Sequence, residues 1–502
     1  MSAVLEQPVR YRRPLPLWLM PAQTAAVFTI LGATTGGQML RGWLLTALTW
    51  MMALPLLVSL EAGLIAMMLF EPLRGIIRRG QYLFIEYSSQ DPIHILTPIV
   101  TLFALATVLR SQRLNILRAS PLAGWVSLLA LVYVVEIFNP LQGGLMVGLS
   151  GAMFSLVPML WFYFGQAIKT EFITIALRLM IVLGLVTSLY GLYQLLFGYP
   201  AFEQYWISNT EFYNSIAVGH VERALATFCS AEEWGRYTEF GAIAAFGFAA
   251  AGNRRVVRFG WLMAGFALIS FVALTGQRAA VFGLVLGLAV LFMLGARSLS
   301  KAIVRLTVLL LPFAMMMVLF KAPEVEEMWS NDETQTVTTV LSHMQRGVLK
   351  PAGEESFQER MKNWTFLLTE VIPYRPLGAG IGAASLSEWR FNKSGDELPP
   401  IDSSILLHGI ACGIPGLLLF VWILSRATWF SLQAARRADA QDHNSTTKRT
   451  ITAIMFALIL NSVFGLTFTL YSIAPLVWLF MGWISAETLR IRRGHEREIV
   501  TI

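Results

Sequence analysis

Long apolar runs recur along most of this chain, and short segments with the charged residues separate them. A helix needs about 20 apolar residues to cross a bilayer, and each run is near that length. The pattern therefore predicts an all-α integral membrane protein, a polytopic bundle of about 12 to 14 transmembrane helices. Before residue 93 the crossings are harder to place, because Pro55 and Glu61 interrupt the pattern. The clearest runs lie near residues 93–109, 121–138, 144–165, 172–197, 238–252, 258–275, 280–297, 302–320, 403–425, 450–468 and 471–488.

Composition supports the same class of protein. The chain is 56% hydrophobic and only 14% charged, whereas a soluble protein carries about 25% charged residues. Its net charge of +7 is mostly loop arginine that sets topology, so it indicates no nucleic-acid partner. Cys229 and Cys412 lie far apart and the histidines do not cluster, so we expect no metal and no cofactor. No small-residue cleavage site follows the first apolar stretch, so we expect a retained first segment.

Arginine and lysine in short loops predict the orientation, since such loops lie in the cytoplasm. One exception is the group Arg74, Arg78 and Arg79, which this orientation places outside. The cytoplasmic clusters are Arg110, Arg113 and Arg118; Arg254, Arg255 and Arg258; Arg297, Lys301 and Arg305; Arg436, Arg437, Lys448 and Arg449; and Arg490, Arg492 and Arg493.

This topology divides the chain into three parts. Residues 1–320 hold transmembrane helices and a first outer loop near 198–237. Residues 321–402 form a large outer loop with short helices, and residues 403–502 form the last transmembrane helices and a cytoplasmic tail.

Three arginines, Arg223, Arg278 and Arg360, fall on the outer side in this topology. Arginine suits phosphate binding because its planar guanidinium makes bidentate hydrogen bonds and stays charged. Each also has a simpler explanation. Arg278 could anchor a helix end among lipid headgroups, Arg360 could lie on an exposed helix face, and Arg223 could join Arg236 in a solvated network with Glu222, Glu232 or Glu233.

Four stretches resemble, in order, the motifs of the O-antigen ligase and O-antigen polymerase superfamily. They are RALATFCSAEEWGRYTEFGA from Arg223, LTGQRAAVFGLVLGL from Leu274, RMKNWTFLLTEVIPYRPLGAGIG from Arg360 and DSSILLHGIACGIPGLLLF from Asp402. Ala226 replaces the family's glycine in the first, and Gln277 and Ala279 replace its serine and glycine in the second. The third has the family's Arg-x-x-x-Trp helix and Pro-Leu-x-Gly-x-Gly turn.

The third stretch also has a helical pattern of its own. Apolar residues recur at helical spacing and predict one apolar face, at Phe357, Met361, Trp364 and Leu368. We expect this helix to stop near Pro373.

The resemblance implies a metal-independent, inverting membrane glycosyltransferase of the GT-C type, with a glycan on undecaprenyl pyrophosphate as donor. It also implies the bacterial inner membrane, with both outer loops periplasmic and the active site facing the periplasm. Arg223, Arg278 and Arg360 would contact the pyrophosphate. The family's candidate base is a histidine; counting back from Gly413 and Gly416 puts Asp402 at that position, and a shifted alignment would put His408 there. His408 could equally be a hydrogen-bonded helix histidine.

The aspartate favours a polymerase that joins repeat units of O-antigen, capsule or exopolysaccharide. One alternative is a ligase that transfers glycan to lipid A core or to protein. A transporter or flippase of lipid-linked sugars is the other, although no repeat of one half in the other is evident. Expected partners are the lipid-linked glycan, the bilayer, and a flippase and chain-length regulator of the same pathway.

Overall fold

The computed structural model describes residues 39–87, 91–112, 120–210, 217–218, 221–252, 254–296, 300–301, 303–307, 311, 355–383, 398–399, 401–438 and 444–500. The helices before residue 200 are α1 (Met39–Ala53), α2 (Leu60–Phe70), α3 (Arg74–Gln81), α4 (Leu96–Gln112), α5 (Ala123–Glu136), α6 (Leu145–Met159), α7 (Trp161–Ala167) and α8 (Thr170–Phe197). The later helices are α9 (Ala201–Asn209), α10 (Ala231–Ala251), α11 (Arg255–Leu274), α12 (Arg278–Gly295), α13 (Glu355–Phe366), α14 (Ser404–Arg437), α15 (Ser445–Val463) and α16 (Ala474–Val500).

Shorter elements join these helices. A π-helical turn, Leu367–Val371, continues α13. Two-residue strands, β1 (Ala217–Val218) and β2 (Val221–Glu222), pair antiparallel just before Arg223. Short 3-10 turns occupy Leu54–Leu57, Glu71–Leu73, Pro92–Ile95 and Pro140–Gln142.

Seven described helical stretches are long and apolar enough to cross a membrane, which confirms the predicted all-α polytopic membrane protein. The predicted spans near 121–138, 238–252, 450–468 and 471–488 are also helical, as α5, α10, α15 and α16. The total of about 12 to 14 stays a prediction, because residues 1–38 and 312–354 lie outside the described residues, as does most of the run at 302–320. The seven stretches are Met39–Leu57, Pro92–Leu109, Leu145–Ala167, Thr170–Phe197, Arg255–Leu274, Arg278–Gly295 and Ser404–Arg437.

Helix α10 lies at the centre of the bundle, where it packs against α8, α11, α12 and α15. Its many glycine and alanine residues allow this close packing of neighbours. At Gly283 of α12, a methyl group would lie 2.2 Å from a carboxylate oxygen of Glu239 on α10. Asn461 of α15 donates to both oxygens of that carboxylate. The glycine therefore makes room for a polar junction of three helices.

The arginines of α3, the exception in the predicted topology, are buried in ion pairs. Arg74 contacts Glu233 at 3.1 Å, Arg78 contacts Asp91 at 3.2 Å and Arg79 contacts Glu203 at 2.6 Å. Glu203 and Glu233 belong to the predicted first outer loop and its boundary. These arginines are neutralised within the fold, so they do not act as the free positive charges that hold a loop in the cytoplasm.

Helix α14 is broken at Gly413, where φ is +65°. In an unbroken helix the carbonyl of Ile410 would accept from Ile414 and that of Ala411 from Pro415. Pro415 has no N–H, and the N–H of Ile414 turns instead to the carbonyl oxygen of Pro376, at 2.9 Å. The break leaves two helix carbonyls without helix donors.

The glycine-rich turn that follows the π-helical turn supplies the missing donors. The N–H of Ala379 donates to Ile410 at 2.8 Å, and the N–H of Gly380 donates to Ala411 at 3.1 Å. A side chain at Gly378 would lie 2.5 Å from the carbonyl oxygen of Ala411, so only glycine permits this approach. The PLGAGIG stretch therefore completes a broken helix.

Candidate functional site

Arg223 and Arg278 lie within electrostatic reach of each other. Arg223 follows β2, and its carbonyl oxygen accepts from the hydroxyl of Tyr199. Burial, and then the positive charge of Arg278, lower the pKa of the Arg223 guanidinium. Its buried Nε has no hydrogen-bond acceptor within the described part of the chain. The pair forms a region of concentrated positive charge with a donor available to an anion.

The arginines of α3 provide a comparison within the same molecule. Burial lowers the pKa of Arg74 too, but Glu71 and other neighbours outweigh it, and the net pKa lies above its ordinary value. At Arg223 the second influence is another cation, so the net pKa falls. The acidic residues considered as ion-pair partners of Arg223 contact other residues instead. Glu222 contacts Gln204, Glu232 binds Arg236 and Glu233 binds Arg74.

Arg278 is the first residue of α12. A cation is unfavourable at this position, because the N-terminus of a helix carries partial positive charge. The preceding residue, Gln277, makes no side-chain cap for the helix. An anion in front of α12 would interact favourably with both the helix N-terminus and the two arginines. A pyrophosphate group and a lipid headgroup phosphate both provide such an anion, so the role of Arg278 stays a prediction.

Asp402 is held by two residues of α13. Its Oδ2 forms an ion pair with Arg360, and its Oδ1 accepts from the indole N–H of Trp364 at 3.0 Å. Arg360 and Asp402 each remain about one-third exposed. Arg360 therefore contacts the residues just before α14 and is more than an exposed residue on the face of its own helix. The carboxylate keeps a fixed orientation and some access to solvent.

The turn that leaves α15 connects this carboxylate to the start of α10. The ring of Phe464 stacks on Trp364 with centroids 5.6 Å apart, and the carbonyl oxygen of Phe464 accepts from Arg236 at 3.4 Å. Gly465 accepts from the N–H of Ser404, the residue that begins α14, at 2.9 Å. Arg236 is therefore a buried connecting residue. Of the solvated network considered from sequence, its pair with Glu232 forms within the described part of the chain, but the Arg236 side chain is buried.

The start of α10 also contacts the turn before Arg278. A methyl group at Gly235 would lie 3.1 Å from Cβ of Gln277 and from Oγ1 of Thr275. The neighbouring Arg236 reaches the α15 exit turn, as above. The Arg223–Arg278 pair and the Arg360–Asp402 pair are thus linked through the first turns of α10. The structure joins residues from all four sequence motifs in one network.

His408 lies apart from these contacts. Its ring stacks on Phe420 with centroids 3.7 Å apart, and Nδ1 is 2.5 Å from the carbonyl oxygen of Ser404. Tyr133 of α5 covers it from another side. The side chain is buried, so the contacts match those of a packed, hydrogen-bonded helix histidine. Its assignment as the alternative base stays a prediction.

Two contributors were not recognised as site residues from the sequence. Trp364 was predicted only as part of an apolar helix face, yet its N–H orients Asp402. Phe464 lies at the end of an apolar run and gave no signal of its own. The Arg-x-x-x-Trp spacing was the available clue, since it places both side chains one helical turn apart. Among the described residues, no group of three or more histidine, cysteine or acidic side chains could hold a metal ion.

Fold and site together define a multi-pass membrane protein with clustered arginines beside an oriented carboxylate at the end of its helix bundle. A family model described as O-antigen ligase matches residues 263–421. The match includes three of the four motifs and supports the resemblance to the O-antigen ligase and polymerase superfamily. No curated protein matches the chain.

Proposed function

We propose that the protein is a glycosyltransferase that polymerises oligosaccharide repeat units carried on undecaprenyl pyrophosphate. The reaction takes place at the periplasmic face of the inner membrane and builds O-antigen, capsule or exopolysaccharide. The observation that carries this proposal is the pairing of Arg223 with Arg278 and its link, through the first turns of α10, to the oriented carboxylate of Asp402. A cationic site and a proton acceptor are what transfer from a pyrophosphate leaving group requires.

In the proposed reaction, an acceptor hydroxyl attacks the anomeric carbon and the bond from that carbon to the pyrophosphate oxygen breaks, with inversion. Asp402 accepts the hydroxyl proton. Arg223, Arg278 and Arg360 stabilise the negative charge on the departing pyrophosphate. Arg360 and Trp364 orient the carboxylate of Asp402 toward this role, and no metal takes part. Most of the catalysis then comes from orientation and fixed positive charge.

The test is complementation of a deletion strain with variants, followed by gels of envelope and secreted polysaccharide and extraction of lipid-linked intermediates. Arg278→Ala should lower polymerisation about 100-fold or more, as loss of one transition-state donor does. Single repeat units on the lipid should accumulate. Arg258→Ala, an exposed arginine at the other end of the preceding helix, is the matched control and should behave as wild type. Normal chain length in Arg278→Ala would refute the phosphate role.

The choice of base is tested in the same strain. Asp402→Asn keeps the size of the side chain and removes its basicity, so activity should be lost almost completely. His408→Gln should retain activity, because His408 is buried between Phe420 and Tyr133. The reverse pattern would assign the base to His408.

A ligase is the second candidate, because the matching family model is described as O-antigen ligase. A ligase would join finished glycan to lipid A core or to protein with the same leaving group. Its deletion would leave long lipid-linked chains that never reach the acceptor, whereas loss of the polymerase leaves single units. Single units retained in the cytoplasmic leaflet would indicate the flippase and remove the catalytic roles of the arginines.

A further inference from the structure

The glycine-rich turn carries a group of exposed apolar side chains. Tyr374 is 78% exposed and Leu377 is 73% exposed, although both lie beside a tightly packed backbone. Such side chains are unfavourable in water and suit a lipid or protein partner. The sequence alone assigned this turn to a large hydrophilic loop.

The turn borders exposed apolar residues that end α5. Asn139 donates to the carbonyl oxygen of Gly378 at 3.3 Å, which brings Leu377 next to the α5–α6 connection. Phe138 and Leu141 in that connection are 69% and 58% exposed. We call these four exposed side chains the apolar collar: Phe138, Leu141, Tyr374 and Leu377.

The collar is continuous with helix faces that point away from the bundle. Leu131 and Val135 of α5 are exposed just before Phe138. In α14, large exposed apolar side chains begin at Ile414 and continue at Leu418, and Ile414 is the residue whose N–H binds Pro376. Both helices are apolar over the lengths in question. Lipid is the environment of such faces in a polytopic membrane protein.

Helix length places the break in α14 near the membrane. From Gly413 to Arg437 the helix has enough residues to span about 36 Å, which exceeds the hydrocarbon core of about 30 Å. The Ser404–Cys412 part is therefore not needed for the crossing. Non-helical backbone is tolerated in a bilayer only where protein satisfies its polar groups, and the turn does so for Ile410 and Ala411.

We infer that residues 374–382 form a re-entrant turn whose apolar collar contacts the acyl chains of the leaflet nearest the large loop. Tyr374, with an apolar ring and a polar tip, suits the boundary between headgroups and acyl chains. This anchors α13 at the membrane surface, beside the start of α14. The inference depends on the membrane fold and not on the proposed reaction, so either can fail separately.

The test uses the full chain with Cys229→Ser as background, because Cys412 is buried. A fluorescent dye attached at Leu377→Cys reports its surroundings in phosphatidylcholine vesicles. We expect blue-shifted emission, quenching by lipids spin-labelled on their acyl chains, and resistance to aqueous iodide. Glu359→Cys, on the exposed face of α13, is the matched control and should show the opposite behaviour.

Iodide quenching at Leu377→Cys without quenching by spin-labelled lipid would overturn the inference, because it would show that the turn is exposed to water. Protection from both quenchers would also overturn it, because it would mean that protein covers the collar. A benzophenone amino acid at position 377 gives an independent reading that needs no cysteine. Cross-links to phospholipid support the inference, and cross-links to protein alone contradict it.

Discussion

Ala226 adopts a backbone conformation that is unfavourable for alanine. Its φ is +51°, and it is the one described non-glycine residue with positive φ. The N–H of Ala226 donates to the side-chain oxygen of Gln194 at 2.7 Å. The carbonyl oxygen of Ala226 accepts from the side-chain amide of Gln194 and from Arg79. These bonds keep the turn before α10 in a conformation that disfavours a Cβ atom. The resemblance places a glycine here, which this geometry explains.

Replacing Ala226 by glycine should therefore stabilise the protein. We expect a gain of about 1 kcal/mol from relief of the left-handed conformation, with activity unchanged. Thermal unfolding in detergent measures it. Ala224→Gly, at a neighbouring buried position with ordinary φ, should destabilise. A lower midpoint for Ala226→Gly would show that the methyl group contributes more through packing than its strain costs.

Trp364 combines two contacts that a substitution can separate. Phenylalanine retains the stacking on Phe464 but lacks the N–H that binds Asp402. Because hydrogen bonds to charged groups contribute about 1.5–3 kcal/mol, Trp364→Phe should lower the polymerisation rate about tenfold or more. The thermal midpoint should change little. Full activity in this variant would show that Arg360 alone orients the carboxylate.

At the scale of elements, α13 shows how one turn changes a helical pattern. Phe357, Met361, Trp364 and Leu368 predicted a single apolar face. The π-helical turn at Leu367–Val371 adds a residue to the turn. Leu367 is buried, whereas Leu368 is half exposed. The helix ends near Pro373 as predicted, but its last turn faces the core through a different residue.

The break in α14 gives a prediction at the same scale. Gly413→Ala would put a Cβ atom 2.1 Å from the carbonyl oxygen of Pro376 at a positive φ. We expect a loss of about 1–3 kcal/mol or more, together with loss of activity because the turn and α13 are displaced. Detergent-solubilised yield and thermal unfolding measure it. Gly260→Ala in α11, where nothing lies within 4 Å, should be neutral or slightly stabilising; equal effects in both variants would contradict the argument.

At the scale of the whole molecule, the buried ion pairs of the α3 arginines account for the one exception to the predicted orientation. They pair with Asp91, Glu203 and Glu233, so they belong with the predicted outer loop. The remaining positive clusters then give one consistent orientation, which stays a prediction. It places Arg223, Arg278, Arg360 and Asp402 on the periplasmic side.

Accessibility to a membrane-impermeant thiol reagent tests that orientation. In intact cells with a permeabilised outer membrane, Glu359→Cys should react. Arg254→Cys, at the other end of the bundle, should react only after the inner membrane is disrupted, and Cys229→Ser removes the partly exposed native thiol. Labelling of Arg254→Cys in intact cells, with Glu359→Cys protected, would reverse the topology and place the site in the cytoplasm.

Apolar length along the chain is enough to establish the class of this protein, because a spanning helix needs only a local apolar run. Most predicted spans appear within a few residues of their expected ends. The order of the motifs also identified the stretches that the structure joins in one network, since that order resembles one family. Which residues meet was decided by tertiary structure. Asp402 receives Trp364 and Arg360 from a helix about 40 positions away, Arg236 turns inward to Phe464, and the glycine-rich turn completes α14. Pairings between distant segments depend on how the helices pack, and local patterns of polarity do not predict that packing.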